Sequence, residues 1–237
     1  MQRLTLQPGY VLHTRPYLET SLLLEAFTRD HGRVGLVARG ARGARSRWKN
    51  LLQPFRPLLL SWIQRGELGT LTSADQVASP PPARRQALFC GLYANELLMR
   101  SLHRDDAHPE LFEAYRQLLG ELAADIQPEP VLRVFEKQLL DALGFGMQLE
   151  QEYDTGSPIE ATAWYAYLPE MGLVRRDREE SAPDESAAAR LISGEALLAL
   201  QSQHIEVRHT RELKQLMRRV LRHHLGPKPL ASQSFFQ

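Results

Sequence analysis

Short apolar runs broken by turn residues fill the first 78 positions of the chain, and a helical period replaces them afterwards. Residues 10–15 (YVLHTR), 20–28 (TSLLLEAFT), 33–38 (RVGLVA), 55–64 (FRPLLLSWIQ) and 67–77 have strand length and the β-branched or bulky apolar content of strands. Asp30-His31-Gly32 separates the second run from the third, which is a hairpin signal. Pro16 ends the first run, and Arg65-Gly66 turns the fourth into the fifth. Five short strands without a long helix predict a small closed barrel, with its longest interruption between the third and fourth strands. A five-stranded Greek-key barrel of the OB type has this layout. An SH3-like barrel fits the pattern nearly as well.

Residues 79–82 (SPPP) are a break, because prolines stiffen the chain and remove backbone donors. Helices are predicted over 83–103, 108–124 and 130–143, the last closed by Gly144 as a C-cap. Residues 164–175 (WYAYLPEMGLVR) read as a hairpin turning near Glu170 and Gly172, and 176–190 as a charged, Ala/Ser-rich loop. Helices follow over 193–201 and 210–225. In the last of these Leu213, Leu216, Met217, Val220 and Leu221 share one face, while Arg211, Lys214, Arg218, Arg219 and Arg222 cover the rest. Gly226-Pro227 stops it. The expected class is α+β: a barrel over 1–79, then a mainly helical domain over 80–237 with a small β-hairpin.

Composition adds one thing to this picture. The chain has 43% apolar and 24% charged residues, as an ordinary soluble protein does, and its net charge of +1 points to no particular partner. The charge is unevenly spread, however. Residues 1–79 hold eleven Lys/Arg against five Asp/Glu, a surplus of six, which leaves −5 for the remaining 158. A basic front half suits a polyanion. Cys90 is the single cysteine, so neither an intramolecular disulfide nor a cysteine-built zinc site can form. The opening MQRLTLQPGY lacks the apolar run of a signal peptide and no later stretch approaches a membrane span, so a reducing cytoplasm is expected.

The surplus concentrates in residues 38–49, ARGARGARSRWK, where Arg39, Arg42, Arg45, Arg47 and Lys49 are spaced by Gly, Ala and Ser with no acid. Arginines on such a chain can follow a flexible phosphate backbone and release its counterions. Trp48 either offers a flat face to an unpaired base or plugs the end of the barrel. The basic side of the last helix, Arg218, Arg219 and Arg222 with Lys228 beyond it, is a second candidate DNA contact or a solvated surface. In PEPVLRVFEKQLLDALG, Arg133 stands beside an apolar stripe of Val131, Leu132, Phe135 and Leu139. It either clamps a peptide's terminal carboxylate or faces water beside a core stripe. Enzymatic chemistry has no support: there is no HExxH or GxxxxGK[ST] motif, and the histidine pairs 204/209 and 223/224 are poorly spaced for a metal. Cys90 lies in the apolar LFCGLY as a small hydrophobe.

Ordered blocks then carry a resemblance. YVLHTRPYLETSLLLEAFTRDHGRVGLVARGAR, LLQPFRPLLL, GLYANELLMRSL, PEPVLRVFEKQLLDALGFG and LGPKPLASQSFF resemble, in the same order, the RecO family of bacterial DNA repair and recombination proteins. The resemblance is weakest over 148–193. It implies an N-terminal OB-fold and a helical C-terminal domain, binding of single- and double-stranded DNA, and annealing of complementary strands. It further implies loading of RecA together with RecR onto DNA covered by single-stranded-DNA-binding protein (SSB), and leaves open the need for RecF as a further partner. In the cytoplasm such a protein is nucleoid-associated. The family's helical domain holds the SSB C-terminal tail, which places Leu132, Arg133 and Phe135 in the expected tail site. Arg15, Arg39, Arg42, Arg45, Arg47, Trp48, Lys49, Arg218, Arg219, Arg222 and Lys228 make up the expected DNA contacts. Many members carry a four-cysteine zinc module in the helical domain. Here Cys90 is the only cysteine, so no metal or other cofactor is expected and packing must hold the hairpin. The alternatives are a generic OB-fold RNA-binding protein, or a nuclease, which would need clustered carboxylates, whereas the acids here are scattered or sit in the loop-like 177–185 stretch.

Overall fold

The computed structural model describes residues 1–48, 50–77, 85–124, 126–177 and 191–232. Lys49, the SPPP break and nearly all of the expected 176–190 loop lie outside the described residues. The contacts divide the chain into two compact units, Met1–Ile126 with Leu230–Gln237, and Gln127–Pro229. That division differs from the expected one at 79/80, and the packing of the first unit explains why.

Five strands, β1 (Gln2–Tyr17), β2 (Ser21–Thr28), β3 (Gly32–Ala38), β4 (Leu58–Arg65) and β5 (Leu68–Gln76), close into a barrel in the order β1-β2-β3-β5-β4. The predicted strands are all present. β1 begins eight residues before the expected start at Tyr10, because it serves two neighbours. Its first half pairs with β4 from Gln2 to Gly9, and its second half pairs with β2 from Gly9 to Tyr17. A bulge between Leu4 and Gln7 makes the bend, with Leu6 at φ 51° donating its N–H to Ser61 Oγ at 3.0 Å. Parallel pairing of β3 with β5 (Gly35 with Leu68 to Val37 with Thr70) closes the ring.

Alternate positions fill the interior: Val11, Leu24, Ala26, Val34, Leu36, Leu60, Trp62 and Leu71 form one core cluster. The opposite faces of β1 and β2 are buried as well. Helix α1 (Arg85–Ser101) and helix α2 (Pro109–Ala123) belong to the same unit, and Tyr10 and Phe27 meet Phe112 and Tyr115 of α2 with ring centroids 5.2–6.3 Å apart. Asn95 of α1 donates to Leu12 O at 2.9 Å and accepts from the Tyr115 hydroxyl at 2.5 Å. Burial, then the neighbouring Tyr10, pushes the Tyr115 hydroxyl well above its ordinary pKa, so it stays a donor. On the same outer face Glu25 is buried and pairs with Arg33 and with Arg104, which follows α1. Gly32, at φ 61°, lets the chain beyond α1 approach so closely that an added Cβ would stand 1.8 Å from the Asp106 carbonyl oxygen. Such contacts put α1 and α2 in one compact unit with the barrel. The C-terminal segment joins them: Glu96 of α1 accepts from Ala231 N, Ser232 N and Ser232 Oγ at 2.6–2.8 Å.

The second unit contains α3 (Pro128–Ala142), the strands β6 (Trp164–Leu168), β7 (Gly172–Arg176) and β8 (Leu191–Ser193), then α4 (Gly194–Gln201) and α5 (Thr210–Leu225). The expected hairpin is β6–β7, turning through Glu170 at φ 67°. β8 adds a third strand, giving the order β7-β6-β8, and is too short to leave a period in the sequence. Ser193 caps α4 by accepting from Ala196 N, and its N–H and hydroxyl both donate to Glu212 of α5 at 2.9 Å. The five apolar positions of α5 are all buried, as the heptad-like spacing predicts. A polar network ties 150–160 to the hairpin. The Thr155 hydroxyl donates to buried Glu152 at 2.6 Å, Glu160 N donates to Tyr165 Oη at 2.9 Å, and Arg175 pairs with Glu160 at 3.0 Å.

Candidate nucleic-acid interface

The cation-rich segment emerges from the end of β3 and runs as turns across one rim of the barrel, from Arg39 to Trp48. Two of its arginines hold it there. Arg42 donates its backbone N–H to Thr20 O at 2.8 Å, and its guanidinium to Glu19 O at 3.2 Å and Leu18 O at 3.4 Å. Arg47 donates to Thr72 O at 2.9 Å and lies over the Trp48 ring, 4.3 Å from its centroid. The side chains of Arg15, Arg39 and Arg45 are exposed and make no hydrogen bond or ion pair among the described residues. The segment is therefore a pinned loop that presents uncommitted positive charge, rather than a free strand of chain. Glu19 is the one carboxylate in the facing turn.

Trp48 takes the plug role. It is 6% exposed, belongs to the barrel core with Leu52, and donates its ring N–H to Arg39 O at 3.2 Å. This corrects the expectation of a base-stacking residue: a ring packed into the core, with a guanidinium over it, has no face left for a base. Apolar residues in the long β3–β4 connection are what the barrel mouth needs to exclude water.

On α5, Arg218 and Arg222 are exposed, Arg219 is half-buried and Lys228 is exposed beyond the helix end. Nearby, His224 stacks on Phe145 with centroids 4.2 Å apart, and burial followed by His223 holds its pKa below the ordinary imidazole value. Of the expected peptide site, Leu132, Arg133 and Phe135 are all buried in the α3 face of the second unit. Arg133 is 4% exposed and pairs with Glu136, itself fully buried, at 2.8 Å. Neither sequence reading, a carboxylate clamp or a solvent-facing cation, matches that placement. All three side chains face inward, and Arg133 does so paired with the carboxylate one turn on, at i+3. Sequence reasoning also missed the β1–β2 turn, residues 18–20, as the partner of the arginine loop. Pairing between loops more than 20 positions apart leaves no local signal.

Among the described residues no group of histidine, cysteine or carboxylate side chains is placed to hold a metal ion, and no helix is long and apolar enough to cross a membrane.

A closed β1-β2-β3-β5-β4 barrel with an acid-poor, arginine-lined rim is an OB-type barrel, an architecture built to take oligonucleotides and similar polymers across its face and loops. The family models for the recombination protein O N terminal and the recombination protein O C terminal match residues 1–80 and 83–234. The chain belongs to the RecO family. It is 45% identical to the DNA repair protein RecO of Methylococcus capsulatus over 99% of this chain and 94% of that one. Identity to the protein of the same name from Nitrosococcus oceani is 44%, with the same coverage. The Coxiella burnetii relative, also named DNA repair protein RecO, is 42% identical over 98% of this chain and 97% of its own length.

Proposed function

We propose that this protein is a DNA-binding mediator of recombination in DNA repair, which anneals complementary single strands and, with RecR, helps to load RecA onto SSB-covered DNA. The observation that carries the reading is the arginine loop: Arg39 and Arg45, exposed and without a hydrogen bond or ion pair among the described residues, on the rim of an OB-type barrel, in a chain whose relatives are named DNA repair proteins. Two complementary strands repel each other at close range. A pinned loop bearing Arg39, Arg42, Arg45 and Arg47, with Arg15 in β1 and the exposed Arg218, Arg222 and Lys228 of the second unit, neutralises phosphates while leaving bases free to pair. Lys49 belongs to the same proposal by its place in the sequence. Contacts of this kind carry little sequence preference. The work is binding and involves no covalent chemistry.

Capture of the SSB tail by the helical unit raises the local concentration of the annealer on coated strands. The family resemblance supports it, with Leu132, Arg133 and Phe135 shaping the unit from inside rather than touching the tail. RecF enters as a further partner of the same pathway.

The test is annealing of two complementary oligonucleotides, each pre-coated with SSB and read by quenching of a fluorophore without ATP. Acceleration on coated strands is the expected result. Acceleration on bare strands alone removes the SSB-tail part, and none on either removes annealing. Parallel binding to DNA and RNA of one sequence decides against the RNA-binding alternative if DNA binds at least as tightly.

A further inference from the structure

Among the described residues, seven non-glycine positions have a left-handed backbone, and most have a local reason for it. Leu6 sits at the β1 bulge, Phe55 is buried with its ring against Gly91, Glu170 turns the β6–β7 hairpin, and Asn50 and Asp105 are residue types that tolerate the conformation. Gln203 directly follows the C-cap Ser202 of α4. Leu18, like Glu170, lies in a hairpin turn, but its side chain does not suit the conformation. It is a branched apolar residue at φ 52°, at the first position of the β1–β2 turn, and 74% of it is exposed. A left-handed turn position favours Gly or Asn, because a Cβ crowds the backbone there. Nothing in the fold gains from leucine at this place: the side chain packs on no core, and the turn needs only the carbonyls of Leu18, Glu19 and Thr20.

Those carbonyls are what the arginine loop grips. With Arg42 holding all three, the turn is braced against the loop that carries Arg39 and Arg45, and the leucine side chain stays exposed. An apolar side chain on a strained, braced turn amid cations fits a ligand that is polyanionic along its backbone and apolar on its faces. A single-stranded nucleic acid is such a ligand, whereas a duplex hides its base faces.

We propose that Leu18 is a base-contacting residue that packs on an unpaired nucleobase while the neighbouring arginines hold the adjoining phosphates, giving the rim its preference for single strands. This rests on the nucleic-acid reading above. Strained backbone is found where surrounding structure over-determines it for a task, and the first strand-joining loop of OB folds is one of their ligand-contacting loops.

The test uses the full chain and the variants Leu18→Asn and Leu18→Gly, both of which ease the turn. Binding is measured to fluorescent oligothymidylate and to a blunt duplex of equal length, each over a salt series. The variants are expected to bind oligothymidylate about four- to fifteenfold more weakly, the range carried by one or two buried methylene groups. Duplex affinity, the salt slope and the melting temperature should hold or, for the last, rise. Unchanged affinity for oligothymidylate overturns the proposal. So does an equal loss on the duplex with a flattened salt slope, since the turn then acts only by positioning arginines. A wild-type protein that binds neither probe overturns the nucleic-acid reading and this proposal with it. As a second measurement, an environment-sensitive thiol dye is placed on Leu18→Cys, where fully buried Cys90 leaves it the accessible thiol. A fluorescence change with oligothymidylate and none with duplex is expected, and a silent dye counts against contact.

Discussion

Replacing Arg15, Arg39 and Arg45 together by alanine removes three exposed guanidiniums that have no partner among the described residues. Folding should hardly notice, since surface changes away from caps, ion pairs and cores shift stability by about 0.5 kcal/mol or less. DNA binding should change in a particular way. Each single-strand phosphate released lowers the salt slope by about 0.7, so three lost contacts lower it by about 2. Over a fourfold rise in salt that slope difference amounts to roughly a twentyfold divergence between wild type and variant. The assay is anisotropy of a labelled oligonucleotide titrated at several salt concentrations, with thermal melting of both proteins as the control. An unchanged slope in a variant that melts normally refutes the assignment of phosphate contacts to this rim. Arg42 and Arg47 are left out of the set because both anchor the loop, through Glu19 O and Thr72 O, and their loss would confound charge with structure.

Three further outcomes follow from the packing. Trp48→Ala should destabilise the protein by about 3–5 kcal/mol in urea unfolding, the usual range for a buried tryptophan, whereas a surface stacking residue would leave the midpoint in place. Gly32→Ala combines a left-handed backbone with a Cβ driven against the Asp106 carbonyl, so a loss of about 2–4 kcal/mol or failure to fold is expected, read by the same titration. The third concerns pH. Although partial burial pushes the Glu96 carboxyl up, the Ser232 hydroxyl, the N–H groups of Ser232 and Ala231 and the charge of Arg100 outweigh it and hold the pKa below the ordinary carboxylate value. A depressed folded-state pKa gives stability that is present above the unfolded value and is lost as pH falls through the folded one. Melting temperature against pH should therefore drop on the acid side, and Glu96→Gln should flatten that part of the curve. A variant profile that still parallels the wild type would remove Glu96 from the account.

Local periodicity already settled much of this protein. Alternating or bulky apolar runs bounded by Asp-His-Gly and Arg-Gly turns place the barrel strands apart from the first half of β1, and the spacing of Leu213, Leu216, Met217, Val220 and Leu221 places the buried face of α5, because both are properties of neighbours a few positions apart. The surplus of arginine at residues 39–47 was equally visible. Which face each element covers was decided only by the tertiary structure. α1 and α2 seal the outer side of β1 and β2, Trp48 sinks into the barrel mouth, and Arg133 turns inward to a buried Glu136. The pinning of the arginine loop by Leu18, Glu19 and Thr20 depends on two turns far apart in sequence meeting at one rim. A residue's periodicity records that it will be buried or exposed against something. What that something is depends on long-range packing, and there a cation or a tryptophan can serve the core as readily as the surface.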